Sequence, residues 1–206
     1  HLLYHNGRDG TFVKVGKTNA LVARSFTASD VGAGYWADYD NDGNLDLFVP
    51  TGSNFGGQRN QLFRGLSGGG FASVTRAPVG TEVTGSTAAA WSDFNNDGYL
   101  DLFLSNLAPD PNSSKTISNT LYLGQADGSF IRSRPPGLEA FQARNYGCAV
   151  GDFDSDGFPD IAMSVRPFRF IILFNQAGTD FDAVSLSNGG GNYGGIAAGD
   201  IDNNGS

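Results

Sequence analysis

A short acidic motif recurs along the chain and limits its possible folds more than any other feature. The motif has Asp or, in two copies, Asn at positions 1, 3 and 5, Gly at position 6 and Asp at position 9. Complete copies occupy 38–46, 93–101 and 152–160, and a fourth copy begins at Asp200 and stops with the sequence. The copies begin 55, 59 and 48 residues apart. A period near 50 residues predicts a solenoid or a propeller.

The motif also predicts a calcium site in each loop. Calcium is a hard cation that takes about six to eight oxygen ligands, and a tight loop can turn alternate side chains inward. Gly at position 6 permits the positive φ that such a turn requires. The predicted ligands of the three complete sites are Asp38, Asp40, Asp42, Asn44 and Asp46; Asp93, Asn95, Asp97, Tyr99 and Asp101; and Asp152, Asp154, Asp156, Phe158 and Asp160. The truncated fourth site offers Asp200, Asp202 and Asn204.

Position 7 of each loop (Asn44, Tyr99 and Phe158) is expected to contribute its backbone carbonyl. The single Cys and the two His residues lie outside the loops, which argues against zinc or copper. Asp, Asn and Gly also favour ordinary turns. However, clustered carboxylates without a cation repel one another by about 1–4 kcal/mol per pair, and a plain turn has no reason to repeat that cost.

The same opening pattern occurs in EF-hands, which need a bidentate Glu at position 12 and flanking helices. Position 12 is Val49, Leu104 and Met163 here, and the flanking segments have the pattern of strands. An EF-hand is therefore excluded.

The composition indicates a turn-rich, all-β protein. The 206 residues include 30 Gly, only 17% are charged, and the net charge is −8. Thirteen of the 21 acidic residues belong to the four loops, so the rest of the chain is net positive and the acidity is that of metal sites. No nucleic-acid-binding face and no membrane-inserted segment are predicted. Because the sequence begins with His and stops inside a loop, an internal fragment of a longer protein is expected.

Four short strands per repeat are predicted between and around the loops, and no window has helical periodicity. Four antiparallel strands per repeat is the pattern of a propeller blade. We therefore predict one β-propeller domain over 1–206, with complete blades at about 33–76, 86–133 and 146–186 and partial blades at 1–15 and 193–206. The strand before each loop is the predicted innermost strand. Trp36 and Trp91 on these strands are expected to pack between blades rather than to form a sugar-stacking platform. Apolar residues at loop positions 2 and 8 are expected to hold each loop on its blade.

The repeats resemble FG-GAP/VCBS repeats, as in integrin alpha-subunit propellers and many secreted bacterial proteins. The matching features are the strand ending in Asp, the acidic loop, the following L-[FY] strand and the Gly-Phe turn of Asp127-Gly128-Ser129-Phe130. The resemblance implies a calcium-stabilised propeller of about seven blades. It also implies an extracellular location and the metal ligands named above, but no catalytic residue.

Two classes of function remain open. The first is a non-catalytic binding or scaffold module for protein or carbohydrate. The alternative is part of a calcium-dependent secreted polysaccharide lyase or hydrolase. The sequence has no nucleophile-elbow or zinc-protease motif, His1 and His5 lie in the first partial blade, and Glu82 and Glu139 are predicted to be isolated surface charges. Calcium sites of extracellular modules often bind at roughly 10⁻⁴–10⁻³ M, so an extracellular or periplasmic location is expected.

Overall fold

The computed structural model describes residues 4–16, 33–51, 59–75, 78–82, 84–106, 119–141, 144–166, 169–186 and 195–199. The first strands are β1 (Tyr4–Asn6), β2 (Phe12–Lys14), β3 (Tyr35–Ala37), β4 (Asp46–Val49), β5 (Gln61–Leu66), β6 (Gly70–Val74) and β7 (Ser86–Ser92). They are followed by β8 (Asp101–Asn106), β9 (Thr120–Gly124), β10 (Phe130–Ser133), helix α1 (Pro136–Ala140), β11 (Arg144–Gly151), β12 (Asp160–Arg166), β13 (Arg169–Gln176) and β14 (Asp180–Leu186).

Twelve of these strands form three four-stranded antiparallel sheets with the same topology. Their orders are β3-β4-β5-β6, β7-β8-β9-β10 and β11-β12-β13-β14, and we call these sheets the first, second and third blades. The strands β1 and β2 form a separate hairpin in which Tyr4 pairs with Lys14. The predicted fold class, all-β with four-stranded antiparallel blades of a partial propeller, is confirmed. The grouping of these blades into one propeller domain stays a prediction.

The blades pack face to face through their middle strands. Every residue of β4 and β8 is buried, as expected for a strand that is covered on both faces. The cluster between the first two blades includes Phe48 and Leu102, and the cluster between the next two includes Phe103 and Ile161. Each acidic loop joins the first and second strands of its blade, so all three loops lie at the same end of the blades.

The two tryptophans occupy equivalent positions but have different surroundings. Trp91 lies between the first and second blades, stacked on Tyr39 with ring centroids 6.0 Å apart and tilted against Phe130 at 6.1 Å. Packing between blades is therefore confirmed for Trp91. Trp36 is 47% exposed and meets the edge of Phe71 in its own blade.

A buried polar network links the three blades at the end opposite the loops. We call it the asparagine seam, and it comprises Asn60, Ser86, Asn106, Asn119 and Asn145. Asn60 Nδ2 donates to Ser86 Oγ at 3.0 Å, and Ser86 Oγ donates to Asn106 Oδ1 at 2.7 Å. Asn119 Oδ1 accepts from the Asn106 backbone at 3.1 Å and from Asn145 Nδ2 at 2.6 Å. Buried polar groups of this kind need partners, and here neighbouring blades supply them to each other, with Asn145 Oδ1 left unpaired.

Helix α1 connects the second and third blades and was not predicted. Its five residues are too few to produce a helical period in the sequence, although Pro136 is favourable at the start of a helix. Leu138 is buried, and the Gly137 backbone donates to Asp180 Oδ1 at 2.7 Å. Among the described residues, no helix is long and apolar enough to cross a membrane.

Candidate metal centre

The three complete acidic loops have the same backbone conformation. Gly at position 6 has φ of 85°, 91° and 90° in the three loops, as the sequence predicted. Position 4 also has a positive φ: 55° at Asn41, 55° at Asn96 and 64° at Ser155. Asn tolerates this left-handed conformation better than most residues do, because its short polar side chain can hydrogen-bond locally.

The first aspartate of each loop holds the turn closed from inside. Asp38 accepts from the backbone of Asp42 through Oδ1 at 3.0 Å and from that of Gly43 through Oδ2 at 2.9 Å. Asp93 makes the same pair of bonds at 3.0 and 2.7 Å, and Asp152 makes them at 3.1 and 2.9 Å. One carboxylate thus satisfies two backbone donors in each loop and faces the loop centre.

The fifth position adds a further bond on the same side. Asp42, Asp97 and Asp156 each accept from the backbone of position 7 through Oδ1, at 2.8, 2.9 and 2.8 Å. These bonds place the position 5 carboxylate beside that of position 1. The carboxylates therefore converge because the loop backbone orients them.

The last aspartate fastens the loop to its blade. Asp46 is fully buried and accepts from the Tyr39 backbone at 2.9 Å and from the Gly65 backbone at 2.7 Å. Asp101 and Asp160 make the same two bonds, to Phe94 and Gly124 and to Phe153 and Asn175. Burial raises the pKa of Asp46 to about 6 and that of Asp101 to about 7, and it also raises the pKa of Asp160. A cation nearby favours the ionised form of such a group.

The structure brings together part of each predicted ligand set. Carboxylate oxygens of Asp38, Asp40 and Asp42 lie within 4.8 Å of one another, as do those of Asp152, Asp154 and Asp156. Position 9 is not in either group. In the second loop, Asn95 Nδ2 donates to Asp97 Oδ2 at 2.9 Å, and Asn95 Oδ1 accepts from the Asp97 backbone at 3.1 Å. His1 and the predicted fourth site (Asp200, Asp202 and Asn204) lie outside the described residues.

The carboxylate oxygens of the first loop fit a hard cation. Asp40 Oδ1 is buried and has no hydrogen-bond partner. The guanidinium of Arg64 stands beside the carboxylates, with Nε 2.6 Å from Asp40 Oδ2 and an NH2 2.7 Å from Asp42 Oδ2. The first loop thus holds a cationic group through carboxylate oxygens, which are the type of ligand that calcium prefers. The full calcium ligand set stays a prediction.

The first and second loops are also covered by the next blade, whereas Phe153 at position 2 of the third loop is 39% exposed. Tyr39 at position 2 of the first loop packs on Phe130 of the second blade, with ring centroids 5.4 Å apart. Phe94 packs in the same way on Phe181 of the third blade at 6.2 Å. In these two loops, the apolar residue at position 2 therefore fixes the loop to the next blade as well as to its own. Position 8 contributes less than expected in the first loop, where Leu45 is 63% exposed, whereas Leu100 and Pro159 are half-buried.

Two acidic residues outside the loops are not isolated, contrary to the sequence-based expectation. Glu82 Oε2 accepts from Tyr122 Oη at 2.7 Å and forms an ion pair with Arg132 at 2.8 Å. Glu139 pairs with Arg134 at 2.9 Å. Glu82 thus binds Arg132 in the outer strand β10, and Glu139 binds Arg134 just after that strand. Both glutamates therefore have a structural role in the second blade.

Sequence reasoning also missed Arg64 and the asparagine seam. Alignment of the repeats on the L-[FY] strand places Arg64 opposite Leu123 and Phe174, so a charge at an otherwise apolar position was the available signal. For the seam, the signal was the pattern N-x-L-[FY] at both Asn60 and Asn119.

The sequence of the chain is similar to a known repeat family and to known proteins. Residues 51–104 match the model of the FG-GAP-like repeat, which here comprises β5 to β7, the second acidic loop and the first four residues of β8. The sequence repeat therefore includes the outer half of one blade and the inner half of the next. Cartilage acidic protein 1 of Homo sapiens is 27% identical over 173 residues, and that of Xenopus tropicalis is 29% identical over 171 residues.

The chain spans about a quarter of the length of these relatives. The human alignment covers 80% of this chain and 24% of the human protein, and the Xenopus alignment covers 80% and 25%. The matched repeat, the relatives and the repeated four-stranded blades with their acidic loops agree with one another. The chain therefore contains an FG-GAP-like repeat at residues 51–104.

Proposed function

We propose that the chain is a non-catalytic, calcium-stabilised binding module of a larger extracellular protein. The observation that carries the proposal is the convergence of the carboxylates at positions 1, 3 and 5 of the first and third loops, within 4.8 Å in each. Three ionised carboxylates at this distance repel one another strongly unless a cation lies between them.

The proposed ligands are the side chains of positions 1, 3 and 5 and the carbonyl of position 7. When bound, calcium supplies the positive charge that offsets the repulsion between these carboxylates. The position 9 aspartates, which are buried under the loops, hold each loop against the third strand of its blade. The sites thus brace the end of each blade where it meets its neighbour.

The proposed location and partner rest on the repeat family and the relatives. The match to the FG-GAP-like repeat supports a protein-binding role. The name of the relatives refers to cartilage and to acidity. The chain shares the acidity, with a net charge of −8 that is concentrated in the loops. Since Trp91 is packed between blades, the two tryptophans do not form a paired sugar platform, and we propose a protein partner rather than a carbohydrate.

Thermal unfolding in millimolar calcium, in magnesium and in excess chelator tests the calcium assignment. A site at a hundred times its dissociation constant adds about 2.7 kcal/mol, or roughly 5–10 °C of Tm for a chain of this size. We expect a rise of at least this size with calcium and a much smaller one with magnesium, which dehydrates reluctantly and demands octahedral geometry.

The matched variants are Asp152→Asn, inside the third loop, and Asp182→Asn, an exposed charge on β14. The first is expected to reduce the calcium-dependent rise, and the second is expected to leave it unchanged. Equal Tm values of the unsubstituted chain in calcium and in chelator would remove calcium from the proposal. Binding of an acidic polysaccharide with cleavage would replace the binding module with the enzyme alternative.

A further inference from the structure

The first loop differs from the others in having an internal cation. Arg64 projects from β5 into the loop, and its guanidinium contacts Asp40 Oδ2 at 2.6 Å and Asp42 Oδ2 at 2.7 Å. Two of the three converging carboxylates are therefore already paired. The contact spans 22 residues of sequence, so it depends on the pairing of β4 with β5 and not on the loop itself.

The structurally equivalent positions in the other blades carry no charge. The equivalence is fixed by the next residue, Gly65, Gly124 or Asn175, whose backbone donates to the position 9 aspartate in each blade. The residues that precede them are Arg64, Leu123 and Phe174. Among the residues that the structure describes, no ion pair involves a carboxylate of the second or third loop.

The surroundings of Arg64 allow it to leave the loop. Its side chain is 45% exposed, so the guanidinium can be solvated outside the loop. A cavity of about 330 Å³ between the first and second blades is lined by Arg64, Asp40 and Asp127 and gives the side chain room to move. Asp40 Oδ1 is buried without a partner even while Oδ2 is paired, so the guanidinium does not satisfy the loop completely.

We propose that Arg64 is a resident competitor of calcium in the first loop, so that this loop binds calcium more weakly than the third loop and fills after it. Calcium would draw on the same two carboxylates, Asp40 and Asp42, that the guanidinium pairs, and their positive charges repel, so binding of the ion displaces the side chain. The first and third loops thus respond to different calcium concentrations although their motifs are alike. This inference rests on the proposed function, because it requires that the loops bind calcium.

Calcium titration calorimetry on two forms of the full chain, each of which retains one complete acidic loop, tests the inference. Asp93→Asn with Asp152→Asn leaves the first loop intact, and Asp38→Asn with Asp93→Asn leaves the third. Each form is measured with and without Arg64→Leu, which introduces the residue that the second blade has at this position. We expect Arg64→Leu to lower the first-loop Kd about tenfold, the size expected for the loss of two exposed ion pairs, and to leave the third-loop Kd unchanged.

Arg134→Leu is the charge control, because it removes an equal charge whose ion pair is with Glu139, outside the loops, and it is expected to change neither Kd. Arg64→Gln is the second variant if Arg64→Leu does not fold, and the same direction is expected. A first-loop Kd that is unchanged by both Arg64 variants, or a first loop that never binds while the third does, overturns the inference and leaves the proposed function standing. Absence of calcium binding at the third loop overturns both.

Discussion

Gly178, in the turn between β13 and β14, lies directly against Asn95 at position 3 of the second acidic loop. A Cβ added to Gly178 would stand 2.8 Å from Asn95 Cα and 3.2 Å from its Cβ, and Gly178 has a φ of 75°. Gly128 of the second blade has the same relationship to Asp40 of the first loop, with its Cβ position 3.1 Å from Asp40 Cβ. The outer turn of one blade therefore covers the acidic loop of the preceding blade, and both turns need Gly for space and for backbone conformation.

Gly178→Ala is expected to destabilise the chain by about 2 kcal/mol or more. Roughly 1 kcal/mol comes from the left-handed conformation, and the rest comes from the displacement of the second loop. Urea unfolding in calcium buffer measures the change. Gly69→Ala is the control, because Gly69 has a φ of 86° and its Cβ position is open. It is expected to cost only the conformational part, so an equal loss in both variants would refute the contact.

The loop backbone could be predicted from the sequence because it depends on nearby residues. Gly43, Gly98 and Gly157 adopt the expected positive φ, and the bonds made by positions 1 and 5 span only two to five residues. The strand that follows each loop is also local, since its apolar residues continue without a break. The fold class followed from the repetition of these local units.

The relationships that were missed depend on pairing between distant strands. Arg64 reaches Asp42 across 22 residues, and Asn175 reaches the Phe94 carbonyl across 81 residues at 2.8 Å. Neither contact leaves a pattern within one stretch of sequence. The second role of Asp46, as an acceptor for the Gly65 backbone 19 residues away, is missed for the same reason. The helix at 136–140 was missed because five residues contain little more than one helical turn.

Asn60→Ala is expected to lower the stability of the chain by about 2–3 kcal/mol, because it leaves buried partners of the asparagine seam unsatisfied. Asn60 Oδ1 accepts from the Thr51 backbone at 2.9 Å, and its Nδ2 donates to Thr84 Oγ1 at 2.6 Å. Calorimetry should show a Tm roughly 5–10 °C lower. Asn6→Ala in the exposed hairpin is the control and is expected to change stability by less than about 0.5 kcal/mol. A loss no larger than in the control would mean that solvent replaces the bonds of Asn60.

Ser155→Asn is expected to stabilise the third loop by about 0.5 kcal/mol, because position 4 has a φ of 64° and Asn adopts this conformation more readily than Ser does. The reciprocal variant Asn41→Ser is expected to destabilise the first loop by a similar amount. Both are measured by urea unfolding in chelator, so that metal binding does not contribute. Shifts of the same sign in the two variants would contradict the conformational explanation.

The stability of the chain is expected to fall above about pH 10, partly through Tyr122. Burial raises the pKa of Tyr122, and its hydrogen bond to Glu82 and the charge of Glu82 raise it further. The unfolded tyrosine loses its proton near pH 10, whereas the folded one retains it, so the folded state binds more protons and stability decreases with rising pH. The stabilisation from Tyr122 is complete below pH 10 and is lost as the pH rises towards the folded-state pKa.

Tyr122→Phe isolates this contribution. It should reduce the slope of unfolding free energy against pH above pH 10 by up to about 1.4 kcal/mol per pH unit, the value for one proton. Urea unfolding at pH 9, 10 and 11 gives the slope. The variant also loses the bond to Glu82 and is expected to be less stable at neutral pH, so the readout is the slope and not the absolute stability. An unchanged slope would show that the phenol ionises equally in the folded and unfolded chains, and that Glu82 binds Arg132 without holding the proton on Tyr122.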